Sequence, residues 1–382
     1  MGTGHVVRKP KTIPLAMPLM TATMVQKAAA ALRNERFLRG ESVEKFEAAF
    51  TKLSGTKHAV ALNNGTNALL FALQALGVKS GDRVLTTSAS YIATANSIVM
   101  AGAEPVFGDI EPTTANLDPA EVEKILRYGS IKAIIPVHLY GRPAAFKEFR
   151  QLADQYGAAL VEDACQAHGA KLNGKPAGSW GDAAAFSFYP SKNMHVGGDG
   201  GMLTTDRDDV ADYVRSVRDG GRALGKTYLH TLLGTTARLN TVNAAIGLEQ
   251  LKQLRAWTKK RVALAKRYQR ELQGVDGLTV APPVAGGAEA VFHLLTVRTA
   301  RRDELAAFLK ERAIETGVHY PVPIHKQPIY ASRVPRGLSL PHTERWAEET
   351  LSLPLFPTLT TSDQDRVIEA VRDFFGQRGK RT

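Results

Sequence analysis

Two side chains able to do chemistry follow short apolar runs of this sequence. Asp163 ends the run 159–163, and Lys192 comes soon after the run 183–188. In open α/β sheets ligands bind at the carboxyl ends of the strands, where two such side chains would meet. Asp163 could equally cap a following helix, and most lysines are solvated surface residues. A lysine held close to a sheet edge can instead have a lowered pKa and act as an amine nucleophile.

Other polar and aromatic residues also fall at predicted strand ends. Gly65 and Thr66 would begin a helix, where free backbone N–H groups bind phosphate well, although the same segment could be an ordinary helix cap. Ser187 precedes Lys192 and could offer its hydroxyl to a phosphate. Tyr91 could stack on a flat cofactor, but a tyrosine in such a place is more often part of the core.

Together these residues match the needs of one cofactor, pyridoxal 5'-phosphate (PLP). PLP requires a lysine for a Schiff base and an acid against its pyridinium nitrogen. The sequence therefore predicts a PLP site at the strand ends. His138, His168 and His230 have no metal-ligand spacing with one another or with Cys165, so we expect no metal site.

The elements that must position these residues form an alternating pattern. From about 58 to 205, short apolar runs alternate with helical stretches, which predicts a mostly parallel sheet with helices on both faces. A long helical stretch follows at about 240–273. A loop rich in Pro, Gly and Ala then predicts a boundary between a large domain, 1–280, and a small α/β domain, 281–382.

The net charge of +12 raises the question of nucleic-acid binding. Short basic clusters at 259–261, 301–302 and 378–381 are not interleaved with aromatic residues. No helix-turn-helix or zinc-finger spacing accompanies them. An excess of basic residues on an ordinary enzyme surface explains the charge better, so we expect no nucleic-acid partner.

The compartment follows from three further observations. No apolar run reaches about 18 residues, so no membrane span is expected. No apolar segment follows the basic residues of 1–11, which argues against a signal peptide. The single Cys165 fits a reducing environment. We therefore expect a cytoplasmic protein.

From about 13 to 375 the chain resembles the DegT/DnrJ/EryC1/StrS family of sugar aminotransferases, which have fold-type I. The matching segments are long and in the order found in that family. They are Asn64-Gly-Thr-Asn-Ala-Leu69, Val161-Glu-Asp-Ala-Cys-Gln-Ala-His-Gly-Ala170, Gly181-Asp182, Ser187-Phe-Tyr-Pro-Ser-Lys-Asn193, Gly198-Asp-Gly-Gly201, Ala244-Ala-Ile-Gly247 with Gln250-Leu251, His319-Tyr-Pro-Val-Pro-Ile-His325 and Leu351-Ser-Leu-Pro-Leu-Phe-Pro357.

The resemblance implies a role for each matching residue. Lys192 would carry the cofactor and move a proton during catalysis, Asp163 would pair with the pyridinium nitrogen, and Gln166 would lie beside the ring. The remaining cofactor contacts would be ring stacking by Tyr91 and phosphate binding by Gly65, Thr66 and Ser187. The resemblance also implies a homodimer with active sites at the interface. The implied reaction moves an amino group from glutamate or glutamine to a keto sugar, commonly a nucleotide-linked 3- or 4-keto-6-deoxyhexose.

Two positions depart from the pattern of the family. Thr236 stands where a Gly-x-Asn-x-Arg segment carries the asparagine that reaches the phosphate in the partner subunit, and a hydroxyl can still bind phosphate. His195 stands where the family often has glycine, and it either projects into the substrate pocket or only fills space. The resemblance suggests that Arg238, Tyr320 and His325 also bind substrate.

Other functions remain open at this point. A cyclitol or another keto compound could replace the sugar as amino acceptor. In a related dehydratase branch a histidine takes the place of the lysine, so Lys192 argues for amino transfer. A non-catalytic DNA-binding regulator is supported only by the net charge.

Overall fold

The computed structural model describes residues 11–284 and 286–376, so the basic cluster at 378–381 and nearly all of 1–11 lie outside it. The α-helices of the described residues are α1 (Ala22–Asn34), α2 (Glu41–Ser54), α3 (Gly65–Ala75), α4 (Ala93–Met100), α5 (Pro119–Tyr128), α6 (Phe146–Tyr156), α7 (Asp208–Val217), α8 (Thr241–Leu272), α9 (Arg302–Glu311), α10 (Pro341–Glu349) and α11 (Thr361–Phe374). Among these residues no helix is both long enough and apolar enough to cross a membrane.

The strands are distributed over three sheets. They are β1 (His58–Leu62), β2 (Arg83–Thr87), β3 (Glu104–Gly108), β4 (Ala133–Ile135), β5 (Ala159–Asp163), β6 (Lys171–Leu172), β7 (Lys175–Pro176), β8 (Ala183–Ser187), β9 (Gly201–Thr205), β10 (Thr279–Val280), β11 (Ala288–Glu289), β12 (Leu295–Arg298) and β13 (Thr350–Leu353).

The main sheet has the order β1-β9-β8-β5-β4-β2-β3. Only β9 runs antiparallel to its neighbours, β1 and β8. Helices α3 and α7 bury apolar side chains against one face of the sheet, while Phe46 and Phe50 of α2 pack on the other face against Phe186 and Phe188. The predicted mostly parallel sheet with helices on both faces is confirmed.

The open edge of β1 is covered by an ion pair. The side-chain oxygen Oε1 of Glu47 accepts a 2.8 Å hydrogen bond from the backbone N–H of Ala61. Arg218 Nη1 donates to the carbonyl oxygen of Ala61 at 2.8 Å and lies 2.6 Å from Glu47 Oε1. Both backbone groups of this residue on the outer side of β1 are therefore hydrogen bonded to side chains.

The C-terminal part of the chain contains a second sheet, β10-β12-β13, and its apolar side chains pack with those of α8, α9 and α11. Strand β11 instead pairs with β6. The boundary between 1–280 and 281–382 stays a prediction, and the pairings show that β10, at 279–280, already belongs to the second sheet.

One buried carboxylate joins the C-terminal part to the main sheet. Asp109 follows β3, and its oxygens accept hydrogen bonds from the backbone N–H groups of His342 (2.9 Å) and Thr343 (2.8 Å) and from the Thr343 hydroxyl (2.7 Å). Backbone N–H groups at a helix N-terminus need such acceptors. Asp109 therefore fixes the beginning of α10, the helix that carries Trp346 towards the candidate active site.

Candidate active site

The carboxylate of Asp163 is held in one orientation at the carboxyl edge of the main sheet. Asp163 is the last residue of β5 and is 5% exposed. Its Oδ2 accepts a 2.8 Å hydrogen bond from the hydroxyl of Thr94 in α4, and its Oδ1 accepts one of 3.2 Å from the backbone N–H of Cys165. The Thr94 hydroxyl is itself 2.9 Å from Ser90 Oγ.

Lys192 follows the neighbouring strand. In the parallel pair of β5 and β8, Asp163 stands opposite Ala185, so Ser187 ends β8 at the same edge. The backbone N–H of Lys192 then closes a turn on the Tyr189 carbonyl at 2.9 Å. Burial lowers the pKa of the Lys192 amine, while the charges of Cys165 and Asp163 act in the opposite direction. A larger neutral fraction of the amine is what a nucleophile requires.

The N-terminus of α3 makes a narrow cradle beside Ser187. Asn64 caps this helix through a 2.8 Å bond from the backbone N–H of Asn67. The first N–H groups of a helix, here those of Gly65 and Thr66, have no intrahelical acceptor. A Cβ atom on Gly65 would lie 2.8 Å from Cys165 Sγ and 2.9 Å from Ser187 Cβ. Only glycine fits, and the helix terminus therefore reaches the edge formed by β5 and β8.

Gln166 connects two aromatic residues above this edge. Its Oε1 accepts a 2.7 Å hydrogen bond from the backbone N–H of Tyr140, and its Nε2 is 3.4 Å from the hydroxyl of Tyr320. The ring of Tyr91, which is 56% exposed, lies 5.8 Å from the ring of Tyr320, centroid to centroid. Burial raises the pKa of Tyr320, which keeps its hydroxyl neutral.

Tyr140 and Thr94 are two residues that the sequence analysis missed. Tyr140 has a left-handed backbone with φ of 58°, a conformation that non-glycine residues adopt rarely and often at functional sites. Its hydroxyl donates to the carbonyl of His319 and accepts a 2.9 Å bond from Trp346 Nε1. Tyr140 follows an apolar run just as Asp163 does, and that position is the signal that could have found it.

His195 is buried among protein groups. Its Nε2 is 3.1 Å from the carbonyl oxygen of Leu19, and its Nδ1 accepts a 3.1 Å bond from the backbone N–H of Gly197. Burial lowers the pKa of the imidazole. These contacts are those of a residue that fills space, which is one of the two interpretations offered above, and a substrate role for His195 stays a prediction.

His325 is hydrogen bonded in a similar way. Its Nδ1 is 2.7 Å from Ser88 Oγ, and its Nε2 is 3.2 Å from Glu344 Oε1. Burial lowers the pKa of His325, and Glu344 opposes that shift. Both ring nitrogens contact protein groups, so a role in substrate binding stays a prediction here as well.

Thr236 and Arg238 lie outside the group formed by Asp163, Lys192 and Gln166. Thr236 is exposed, whereas the Arg238 guanidinium is 2.5 Å from Asp219 Oδ1. The backbone of Arg238 bridges to Leu62 at the end of β1. This segment therefore runs alongside the strand that leads into the cradle at Gly65.

Solved structures of similar fold identify the class of protein. The structure of DesV from Streptomyces venezuelae in complex with a ketimine intermediate matches with a TM-score of 0.89 and 41% identity, over 94% of this chain and 95% of that one. The structure of NtdA from Bacillus subtilis with bound cofactor PMP matches with a TM-score of 0.88 and 30% identity, over 97% of this chain and 87% of that one. The protein is a PLP-dependent aminotransferase.

Sequence comparisons identify the family. The model of the DegT/DnrJ/EryC1/StrS aminotransferase family matches residues 18–372. A pleiotropic regulatory protein of Geobacillus stearothermophilus is 44% identical, over 90% of this chain and 92% of its own length. The dTDP-3-amino-3,4,6-trideoxy-alpha-D-glucose transaminase of Streptomyces venezuelae is 42% identical, over 91% and 90%. The chain belongs to the DegT/DnrJ/EryC1/StrS aminotransferase family, as its motifs predicted.

The described residues fit the PLP cofactor of this family. A buried, oriented carboxylate at Asp163 suits a protonated ring nitrogen, and a lysine of lowered pKa follows the adjacent strand. The cradle at Gly65 leaves no room for a Cβ atom, as a close approach of backbone to phosphate would require. Within residues 11–284 and 286–376, no group of three or more His, Cys, Asp or Glu side chains is arranged to hold a metal ion.

Proposed function

We propose that the protein transfers an amino group from glutamate or glutamine to the keto group of a nucleotide-linked sugar, a 3- or 4-keto-6-deoxyhexose. The observation that carries this proposal is the arrangement of Lys192 and Asp163 at one sheet edge beside the Gly65 cradle. The substrate class is supported by the relative that acts as a dTDP-amino-sugar transaminase.

The chain supplies binding, orientation and proton transfer. PLP, when bound, withdraws electrons from the carbon that carries the amino group. The Lys192 amine would hold the cofactor covalently and, once released, would carry the proton that moves during amino transfer, a role that its lowered pKa favours. Asp163, oriented by Thr94, would keep the ring nitrogen of the cofactor protonated. The other proposed cofactor contacts are Gly65, Thr66 and Ser187 at the phosphate and Gln166 and Tyr91 at the ring.

The assembly that we propose is a homodimer in a cytoplasmic setting. The segment 222–233 folds back on itself, with Arg222 bridged to His230, and it exposes a concentration of large apolar side chains. These are Leu224, Tyr228, Leu229, Leu232 and Leu233, the last of them 100% exposed. Exposed apolar patches of this kind mark protein interfaces. In the dimer, the nearby Thr236 would approach the cofactor phosphate in the partner subunit.

Two half-reactions test the proposed chemistry. The PLP form is mixed with glutamate or glutamine, and the resulting pyridoxamine form is mixed with nucleotide-linked keto sugars, while the absorbance of the cofactor is followed. We expect the spectrum to convert and then return. Return only with a cyclitol ketone would instead favour the alternative acceptor.

The lysine assignment has its own test. Borohydride reduction of the holoenzyme, followed by peptide mapping, should place the reduced cofactor on Lys192. The variant Lys192→Ala should lose covalent attachment and fall in turnover by several orders of magnitude, because nucleophile and proton carrier are lost together. Reduced cofactor on any other lysine would contradict the proposal.

A further inference from the structure

One buried histidine of the C-terminal part is hydrogen bonded to a serine at the carboxyl edge of the main sheet. His325 is 5% exposed, and Ser88, which follows β2, is fully buried. The Nδ1 atom of His325 is 2.7 Å from Ser88 Oγ, and the backbone N–H of His325 donates to the same oxygen at 2.9 Å. The backbone N–H of Ile324 donates to the Ser88 carbonyl at 3.0 Å. Three hydrogen bonds therefore hold Ser88 against the C-terminal part.

These contacts determine which nitrogen of the imidazole carries the proton. A serine hydroxyl has one proton to donate. Because Ser88 Oγ already accepts from the backbone of His325, its own proton is free for Nδ1, which then acts as the acceptor. The ring proton therefore lies on Nε2, which is 3.2 Å from Glu344 Oε1. Burial lowers the pKa of His325, and the neutral ring that this arrangement needs is thereby favoured.

The outer end of this chain of contacts is held in place by further bonds. Glu344 lies in α10 and accepts a 3.0 Å hydrogen bond from the backbone N–H of Leu340. Its second oxygen is 2.5 Å from the Nζ atom of Lys326. Asp109 fixes the beginning of the same helix, as described above. The carboxylate that faces His325 is therefore not free to turn away from it.

The inner end leads to two residues of the candidate active site. Ser88 begins the short segment that carries Ser90 and Tyr91 into α4. The Ser90 hydroxyl is 2.9 Å from that of Thr94, which donates to Asp163 at 2.8 Å. The carbonyl of Tyr91 accepts a 3.1 Å bond from the backbone N–H of Thr94. These contacts within the segment are local in sequence, whereas the anchor at Ser88 comes from a residue 237 positions away.

We propose that His325 is a positioning residue for the amino-transfer site and that it acts through Ser88. By fixing the start of the segment, it sets the place of the Tyr91 ring and of the Thr94 hydroxyl, an inference that rests on the proposed function. A direct contact of the His325 ring with substrate would have to break its bond to Ser88 or to Glu344. A second alternative is that the bond only joins the C-terminal part to the sheet.

Three variants of the PLP-loaded enzyme test the proposal: Ser88→Ala, His325→Leu and His325→Asn. The measurements are the pH at which the cofactor absorbance changes and the rate of the amino-donor half-reaction. We expect Ser88→Ala and His325→Leu to shift that pH and to slow the half-reaction about threefold to tenfold, because each removes a hydrogen bond between neutral groups. His325→Asn can still accept from the Ser88 hydroxyl, so it should lie between wild type and His325→Leu. It also remains informative if His325→Leu does not fold.

The combined variant and a control separate positioning from a general loss of stability. Ser88→Ala and His325→Leu together should react no more slowly than the slower single variant, because both act through one bond. The control is Ser54→Ala, which removes another fully buried serine hydroxyl, bonded to the Phe50 carbonyl at 3.0 Å in α2. It should lower the free energy of unfolding and leave both the absorbance and the half-reaction unchanged.

Two results would overturn the inference. Unchanged absorbance and rate in Ser88→Ala would do so whatever the His325 variants show, because a direct substrate contact of the ring does not need the serine. A loss of stability alone, as in Ser54→Ala, would leave only the joining role. The absorbance titration requires no amino donor, so it tests the positioning even if the wild type reacts with none. That failure would count against the proposed function instead.

Discussion

The hydroxyl of Thr94 donates a 2.8 Å hydrogen bond to Oδ2 of Asp163, across 69 residues of sequence, and both side chains are buried. Thr94 is therefore a positioning residue for the carboxylate. We expect Thr94→Val to slow the amino-donor half-reaction about tenfold or more, because a hydrogen bond to a charged group contributes roughly 1.5–3 kcal/mol. Thr94→Ser keeps the hydroxyl and should restore most of the rate. Equal rates in both variants would show that the bond does not orient Asp163. The pH at which the cofactor absorbance changes should shift in Thr94→Val and should stay the same in Thr94→Ser.

The lowered pKa of Lys192 predicts how the stability of the apoenzyme depends on pH. Burial disfavours the charged amine of Lys192 in the folded protein. Between the lowered pKa of the folded state and the ordinary value of 10.5, the unfolded chain therefore binds more protons at this residue than the folded one does. The contribution of Lys192 to the free energy of unfolding therefore rises with pH between the folded pKa and 10.5. Denaturant unfolding of apo wild type and apo Lys192→Met should show wild type gaining stability relative to the variant as pH rises. Parallel pH profiles would contradict the shift.

Gly65 should tolerate no larger residue. In Gly65→Ala the new Cβ would lie 2.8 Å from Cys165 Sγ and 2.9 Å from Ser187 Cβ, so the N-terminus of α3 must move. We expect weaker PLP binding, measured by equilibrium dialysis, and a loss of about 1–3 kcal/mol in the free energy of unfolding, as for other overpacked sites. Adding Cys165→Ala removes one of the two clashes and should recover part of both losses. Full PLP affinity in Gly65→Ala would mean that the cradle is not the phosphate site.

The exposed apolar segment 222–233 makes a prediction about assembly. Leu233→Asp should shift the protein from dimer to monomer in light scattering, because a charge would be buried without a partner at the interface. The control is Tyr128→Asp at the end of α5, where an apolar side chain is 88% exposed. That variant should stay dimeric. A monomeric wild type with full transaminase activity would contradict the interface.

The parts of the site that could be predicted from sequence are those fixed by strand ends. Asp163 ends one apolar run and Ser187 lies near the end of the next, and the pairing of β5 with β8 brings those ends together, as the pattern indicated. The long helical stretch predicted at about 240–273 is also present, as α8, to within a few residues. These features follow from local periodicity, which a single sequence displays directly.

The parts that could not be predicted depend on contacts distant in sequence. Helix α4 has no clear apolar stripe, so no local pattern predicted it. The position of Thr94, which this helix places beside Asp163, could therefore not be predicted either. A tyrosine in the sequence does not indicate a left-handed backbone, so the conformation of Tyr140 could not be predicted. Its contact with Gln166 forms only when β4 and β5 are paired. The arginines that contact Asp219 come from separate segments that only the folded chain brings together.

The ion pair of Glu47 and Arg218 on the outer side of β1 has a consequence for aggregation. A strand at the edge of a sheet offers unpaired N–H and C=O groups, to which a strand from another molecule can add during refolding or at high concentration. Both groups of Ala61 are already occupied, by side chains that are 17% and 18% exposed. At the next residue of β1, Leu62, the outer side of the strand is bridged by the backbone of Arg238. An intruding strand would have to break a partly buried ion pair before it could pair with the backbone of Ala61, which gives this part of the edge a barrier against amyloid-like growth.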